Sequence, residues 1–428
     1  MKKAFVLAAS VIGLAVGGCG GDDEEDAGAR VAGDVSFMVF GDPDEIKGFR
    51  NVISAYEAKQ PDVNVKLIEA SDRDDLLARL STSFAGGTPP DLFLLNYRYY
   101  GQFASRGVLE PVEERVGSSD VFEEGDFYEQ ALEAFRFDDT LTCLPQNISS
   151  LVVYYNKDLF EQAGVAEPEA GWKWGDMIAA AKKLTTNTGG EKVYGLGVEP
   201  VVIRLAPFVW SAGGELVNDD ENPTQFTLDT PEAQDAMADF FELGFVDEVI
   251  PSEEEVESED LETRFMNGRL AMLLESRRAT PTFRTIENFD WDVAPLPQHE
   301  EPASILHADG YCMTKASKNK DAAWSFLEYA LGPEGAPIVA ESGRTVPSLK
   351  EVAESDAFLD PDAKPASSQV FLDAIPSIRH VPAISTWPEI EDAVEPMMEE
   401  ALYKGESMDG LAREIRQATD SLFARAEG

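Results

Sequence analysis

The sequence predicts an α/β protein organised as two domains. Strand-like and helix-like segments alternate along the chain, and the alternation breaks off and then restarts. The 428 residues also exceed what one hydrophobic core ordinarily organises.

The elements follow in order. Residues 35–40 form an apolar run that reads as a buried strand. Phe49, Val52, Ile53 and Tyr56 then recur at helical spacing, which places them on one face. Pro61 stops that helix, and Val63, Val65 and Leu67 alternate as a second strand. Leu76, Leu77 and Leu80 mark another helix, Gly86-Gly87-Thr88-Pro89-Pro90 a turn, and residues 92–95 a third, fully apolar strand. Strand, helix, strand, helix, strand is the pattern of a mostly parallel sheet covered on both faces. It resumes with a strand at 151–155, a helix from Lys157, and an amphipathic helix carrying Met177, Ile178, Ala181 and Leu184. Thr230-Pro231 is a helix start, a capping hydroxyl followed by proline in the first turn. A strand is expected at 270–274. Helices are expected along Ala322, Ala323, Phe326 and Leu327, and along Leu411, Ile415, Ala418 and Leu422. The acidic run 253–260 reads as a solvated helix face or loop.

The first residues read as an address. Lys2 and Lys3 precede an uncharged run at 4–16 that is too short for a permanent membrane span. Small residues then lead into Cys19. This arrangement resembles a bacterial lipobox, in which the cysteine is diacylated and begins the mature chain; each buried methylene of such an anchor contributes about 0.8 kcal/mol. Residues 1–18 are therefore assigned to a lipoprotein signal peptide and 19–33 to a flexible acidic tether. The location that follows is extracytoplasmic, on the cell surface or in the periplasm, with the membrane reached through lipid.

The net charge of −45, from 35 basic and 80 acidic residues, excludes nucleic acid as a partner, because phosphates require a basic face. Loss of Lys2 and Lys3 with the leader makes the balance −47. His299, His307 and His380 lack ligand spacing, and no metal or cofactor is expected. No phosphate loop or Gly-x-Ser-x-Gly elbow appears, and Gly195-Leu196-Gly197 is only a turn. Among so many carboxylates no pair stands out as catalytic, so the chain is not read as an enzyme.

Several segments resemble the extracellular solute-binding proteins of sugar ABC transporters, the group that includes maltose-binding protein. They are Gly87-Thr88-Pro89-Pro90-Asp91 with the strand after it, Gly101-Gln102-Phe103-Ala104, and Gly107-Val108-Leu109-Glu110-Pro111. Leu144-Pro145 and Tyr154-Tyr155-Asn156-Lys157-Asp158-Leu159-Phe160 follow, with Trp172 and Trp174. Then come Trp210-Ser211-Ala212-Gly213-Gly214, Gly268-Arg269-Leu270-Ala271-Met272, Lys315-Ala316-Ser317-Lys318-Asn319 and Trp387. No segment is specific alone; their order and spacing are. The resemblance implies a type II two-lobed fold, each lobe a mostly parallel sheet flanked by helices, with three hinge crossings near 147–152, 306–311 and 343–348. The first lobe is 34–146 with 312–345, and the second 147–311 with 346–428. It further implies a monomer that captures a sugar or oligosaccharide between the lobes and delivers it to the membrane permease of an ABC importer. Another small solute (a peptide, polyamine or organic acid) or a carbohydrate-active enzyme is the alternative.

Sugars are recognised by aromatic faces and by planar polar side chains matched to hydroxyls. Asp42 stands at a family contact position after the first strand and is read as a contact, with a helix cap as the alternative. Asn96, Tyr97 and Arg98 follow the third strand; maltose-binding protein has an aromatic and an acid nearby, so this departure implies a different sugar, with a surface turn as the alternative. Asn147 and Ser149 lie on the first crossing, Asp309 and Gly310 on the second. Glu199, Ser276, Arg277 and Arg278 are placed at the rim of the second lobe, Arg277 with an ion-pair alternative. Trp210 reads as ligand platform or core. Trp387 matches the family's sugar-stacking tryptophan, its alternative being an anchor at a helix start. In the implied fold the first two crossings are antiparallel neighbours, so Cys143 and Cys312 fall at the same end. A disulfide and two buried thiols both remain open there.

Overall fold

The computed structural model describes residues 31–188 and 191–426. Cys19 and the proposed leader lie outside the described residues. The first strand, β1, Gly33–Val39, starts where the tether was expected to end, its Gly33 N–H bonded to Asp62 O at 3.0 Å. Helix α1, Pro43–Lys59, begins with Asp42 as cap and proline in its first turn, and buries Ile46, Phe49, Val52, Ile53 and Tyr56 on one stripe. Strand β2, Val63–Glu69, helix α2, Arg73–Ala85, strand β3, Leu92–Asn96, and helix α3, Tyr97–Ala104, complete the opening unit.

Two five-stranded arrangements organise the molecule. The first has the order β2, β1, β3, Asp309–Met313, Cys143–Pro145. Its first three strands are parallel, and Asp309–Met313 pairs antiparallel with β3 on one side and with Cys143–Pro145 on the other. The second is built on Ser149–Asn156, which pairs antiparallel with Met272–Ser276, Trp291–Ala294 and Ser304–His307; Ile378–Arg379 joins the last of these in parallel. The sheets are thus mixed rather than mostly parallel. The reason is the hinge: strands entering from the other lobe arrive in the opposite direction to the βαβ strands they join.

Sheet membership changes between Pro145 and Ser149 and again across Ala308. A third segment lies beside the first crossing, with Ile148 N–H donating to Val346 O at 2.8 Å and Asn147 bridged to Pro347. Cys143 and Cys312 are directly opposed in register and joined by a disulfide, with Cα atoms 4.3 Å apart. Both are fully buried. The bridge closes a loop with sequence separation 169, for which chain entropy predicts about 5 kcal/mol of stabilisation. Because both sulfurs sit in one sheet, it staples the first lobe and leaves the crossings free.

The first core gathers Phe37 with Phe49, Tyr311 and Phe326, ring centroids 5.9, 4.8 and 5.6 Å away. The second gathers Tyr154 with Phe283 and Trp291 at 5.1 and 5.8 Å. Two expectations shift. The strand expected at 270–274 runs Met272–Ser276, because Gly268, at φ 70°, turns the chain first and Leu270 only bridges to Tyr194. In the last helix, Met408–Ala426, the buried stripe is Leu411, Ile415, Thr419 and Phe423, not Ala418 and Leu422. Thr419 is tolerated there because its hydroxyl bonds back to Ile415 O at 2.8 Å. The acidic run forms a short exposed helix, Glu253–Ser258, capped by Ser252.

Candidate functional site

Strand ends from both sheets converge where the lobes meet, the position at which open α/β sheets bind ligands. On the first-lobe side, Asp42 Oδ1 accepts from the N–H groups of Asp44 and Glu45 at 3.1 and 2.9 Å, while Oδ2 accepts from Arg344 Nη1 at 2.6 Å. Both oxygens of Asp42 are thus committed to the cap and to the third crossing. Arg344 Nε also pairs with the buried Glu45 at 2.6 Å. Burial, opposed by Arg344 but reinforced by the carboxylates of Asp309 and Asp42, pushes the Glu45 carboxyl up to about 7.

Asn96 caps α3, accepting from Arg98 N–H at 3.3 Å, and its amide donates to Ala308 O and Asp309 Oδ1, each at 3.1 Å. Asn147 Oδ1 accepts from Asp309 N–H at 2.8 Å and its amide donates to His307 O at 2.9 Å. Ser149 Oγ accepts from Asn147 Nδ2 and from Val346 N–H, both at 3.3 Å. These side chains bind the three crossings to one another. Gly310 is required by packing, since a β-carbon there would lie 2.8 Å from the Phe135 ring.

The second-lobe side centres on Arg204, in the otherwise apolar helix Val202–Ser211. Its Nη2 reaches Glu275 at 2.7 Å and Glu199 at 3.0 Å, and its Nη1 donates to His307 Nε2 at 3.0 Å. A guanidinium only donates, so the neutral imidazole carries its proton on Nδ1. Burial first, then the charge of Arg204, brings the His307 pKa down to about 3. Burial opposes ionisation of Glu275, but Arg204 and Arg278 together hold it at about 2. Ser276 donates to Glu275 Oε1 through its N–H at 2.6 Å and its hydroxyl at 3.0 Å. Arg278 spans Glu275, at 2.9 Å, and Glu262, and its side chain stays 43% exposed. The Glu199 side chain is 49% exposed.

A third group forms the seam itself. Arg98 Nη1 pairs with Glu391 Oε2 at 2.9 Å. Tyr97 is buried beside His380, ring centroids 6.5 Å apart. Glu395, one turn beyond Glu391, is held up at about 7 by burial and by the Glu391 charge.

Three expected ligand contacts sit elsewhere. Trp387 is fully buried at the start of the helix Trp387–Lys404, 6.0 Å from the Phe226 ring; it presents no face to a sugar, because the helix needs it as its core anchor. Trp210 is buried beneath the Arg379 guanidinium, 4.6 Å from the ring centroid. Arg277 is fully buried between the rings of Phe358 and Phe371, at 4.7 and 5.0 Å, donating to Gly343 O and Ser368 Oγ at 2.8 and 3.1 Å. It is a structural clamp on the third crossing rather than an ion pair. Conversely, Glu45, Arg204, Glu275, Arg344 and Glu391 were not singled out in the sequence. Only Arg204 carried a signal, as a lone charge in an apolar helix.

The groups of the Arg204 cluster left accessible are the Arg278 guanidinium, which can donate to a polyhydroxylated solute, and the Glu199 carboxylate, which can accept from it. Among the described residues, no group of three or more His, Cys, Asp or Glu side chains is placed to hold a metal ion.

The comparisons with known proteins agree with this arrangement. A putative binding protein of Brucella abortus is 28% identical over 385 residues, covering 88% of this chain and 90% of its own. The maltotriose-binding protein of Pyrococcus abyssi is 25% identical over 329 residues, 75% of this chain and 67% of its own. Among solved structures, an ABC substrate-binding protein of Listeria monocytogenes, in complex with cycloalternan, superimposes with a TM-score of 0.82 at 26% identity, covering 91% of this chain and 98% of its own. UgpB of Mycobacterium tuberculosis, in complex with glycerophosphocholine, reaches 0.80 at 20% identity, covering 93% and 100%, and shows the fold alone. The family model for bacterial extracellular solute-binding proteins matches residues 42–337. Two mixed sheets exchanging strands across a polar seam, together with that match, establish that the chain belongs to the bacterial extracellular solute-binding proteins.

Proposed function

We propose that the protein captures a sugar or oligosaccharide between its lobes and delivers it to the membrane permease of an ABC importer. The observation that carries this reading is the cluster of Arg204, Glu275, Arg278 and Glu199 on the second-lobe side of the seam, where guanidinium and carboxylate alternate and Arg278 and Glu199 stay open to a ligand. Hydroxyl groups, which both donate and accept, complement such a lining, and a mismatched buried group would be costly. The sugar ligands of the Pyrococcus and Listeria proteins support it. Acylation at Cys19 would keep the protein at the membrane outside the cytoplasm, as a monomer with lobes divided at 34–146 and 312–345 against 147–311 and 346–428. The buried disulfide suits such an oxidising location.

A thermal-shift screen against neutral mono-, di- and oligosaccharides tests the reading. A cognate sugar at 100 times its dissociation constant adds about 2.7 kcal/mol of stability, so a clear upward shift is expected for at least one. Stabilisation by glycerophosphodiesters, amino acids or peptides, with none by any sugar, would reject the sugar assignment.

A further inference from the structure

Helix α3 follows a strand of the first sheet, whereas the helix Trp387–Lys404 packs among the second lobe's helices Pro231–Phe245, Val202–Ser211 and Met408–Ala426. These two helices nevertheless touch through protein atoms alone. Arg98 and Glu391 pair at 2.9 Å with only 14% and 5% of their side chains exposed. The Arg98 guanidinium also rests 5.8 Å from the Tyr99 ring centroid, which orients it toward its partner. Three residues on, and so on the same helical face, Gly101 meets the other lobe's backbone. A β-carbon there would lie 2.4 Å from Ala383 O and 2.6 Å from the carbonyl of Ile384. No non-glycine residue fits at 101 while the lobes stand at this separation.

We propose that the Arg98–Glu391 ion pair and the Gly101 contact form a clasp that holds the cleft closed and sets its affinity without touching the ligand. The physical logic is population. A ligand that binds the closed form has an apparent dissociation constant equal to the intrinsic value divided by the closed fraction. Contacts present only when the lobes meet raise that fraction. A desolvated ion pair is suited to the task, because separating it in place leaves a buried charge uncompensated, whereas opening the lobes returns both groups to water. Gly101 supplies the close approach that lets the pair be desolvated. Arg98 and Glu391 act here as positioning residues.

The affinity arm of this inference rests on the sugar-binding reading; the separation of the lobes does not, and is measured directly. Small-angle scattering of the Cys19→Ser chain without added solute should match the closed arrangement. Arg98→Glu, Glu391→Arg and Gly101→Val should each raise the radius of gyration. The double variant Arg98→Glu/Glu391→Arg should bring it back toward wild type, a rescue that a merely structural role would not give. For any sugar found in the screen, each single variant should lose about tenfold or more in affinity, chiefly through faster dissociation, as expected when the closed fraction falls. Unchanged scattering in all three single variants, or a wild-type curve already fitting a more open form, overturns the clasp. So does a double variant as open as the singles. If no sugar binds while scattering behaves as expected, the clasp stands and the ligand assignment fails.

Discussion

At the level of single residues the seam is governed by burial competing with charge. Glu45 shows the competition plainly. It has an arginine partner at 2.6 Å, yet its carboxyl titrates near 7 because desolvation and two neighbouring acids outweigh that partner. A carboxyl raised in the folded state is favoured there as the neutral acid. Its contribution is complete below the unfolded value near 4.5 and is lost as pH rises toward 7. Glu395 pulls the same way. His307, depressed from 6.5 to about 3, pulls the other way over the lower part of the range, losing stability as pH falls. Comparison with Glu45→Gln isolates the first effect. The stability of that variant relative to wild type should rise by about 1–3 kcal/mol between pH 4.5 and 7.5, measured from urea midpoints at each pH. A difference that stays flat would mean Glu45 is ionised throughout. Such side chains were illegible in sequence, since Glu45 reads as one more acid in the first turn of an amphipathic helix. Its significance comes from Arg344, almost three hundred positions away.

Elements explain why some residues left the site. The helix Trp387–Lys404 starts with a tryptophan followed by proline and buries Ile390, Val394 and Met398 below it. Trp387 belongs to that stripe, against Phe226, so its size serves packing. Trp387→Ala is expected to cost about 3–5 kcal/mol of folding stability, as large-to-small changes of buried aromatics do. Sugar affinity, measured by calorimetry well below the melting temperature, should stay within about threefold of wild type, since less than 1 kcal/mol of contact is at stake. A large affinity loss with little loss of stability would return Trp387 to the ligand. The strands and helices themselves were well announced. Asp42 with Pro43, and Thr230 with Pro231, mark helix starts through local hydrogen bonding, which the sequence specifies directly. Pairing direction was less so: the expectation of mostly parallel sheets failed where Ser149–Asn156 and Asp309–Met313 cross between lobes, because direction there depends on the hinge.

For the whole molecule, two devices act at opposite ends of the chain's organisation. The disulfide makes a rigid body of the first sheet, and the polar crossings at Asn147, Ala308 and Val346 leave relative rotation of the lobes as the soft motion. The proposed attachment is at Cys19, which lies outside the described residues. Cys19→Ser should move the protein from the membrane fraction to the soluble one, as read by fractionation and immunoblotting, because the apolar run at 4–16 is too short to hold it as a span. A Ser variant that stays membrane-bound after signal removal would sink the lipid-anchor reading. Among the described residues, no helix is long and apolar enough to cross a membrane.

By itself the sequence determined what depends on near neighbours and on order along the chain. Periodicity set the helices and strands, capping residues set their starts, and the succession of segments pointed to a two-lobed solute-binding protein. Which charges pair with one another was decided only by tertiary structure. Arg98 with Glu391, Arg344 with Glu45, and Arg204 with Glu275 pair residues 71 to 299 positions apart. In a chain with 80 acidic side chains, local pattern cannot select a partner. Coulomb energy and desolvation depend on distance and burial in space, and those exist only once the chain has folded.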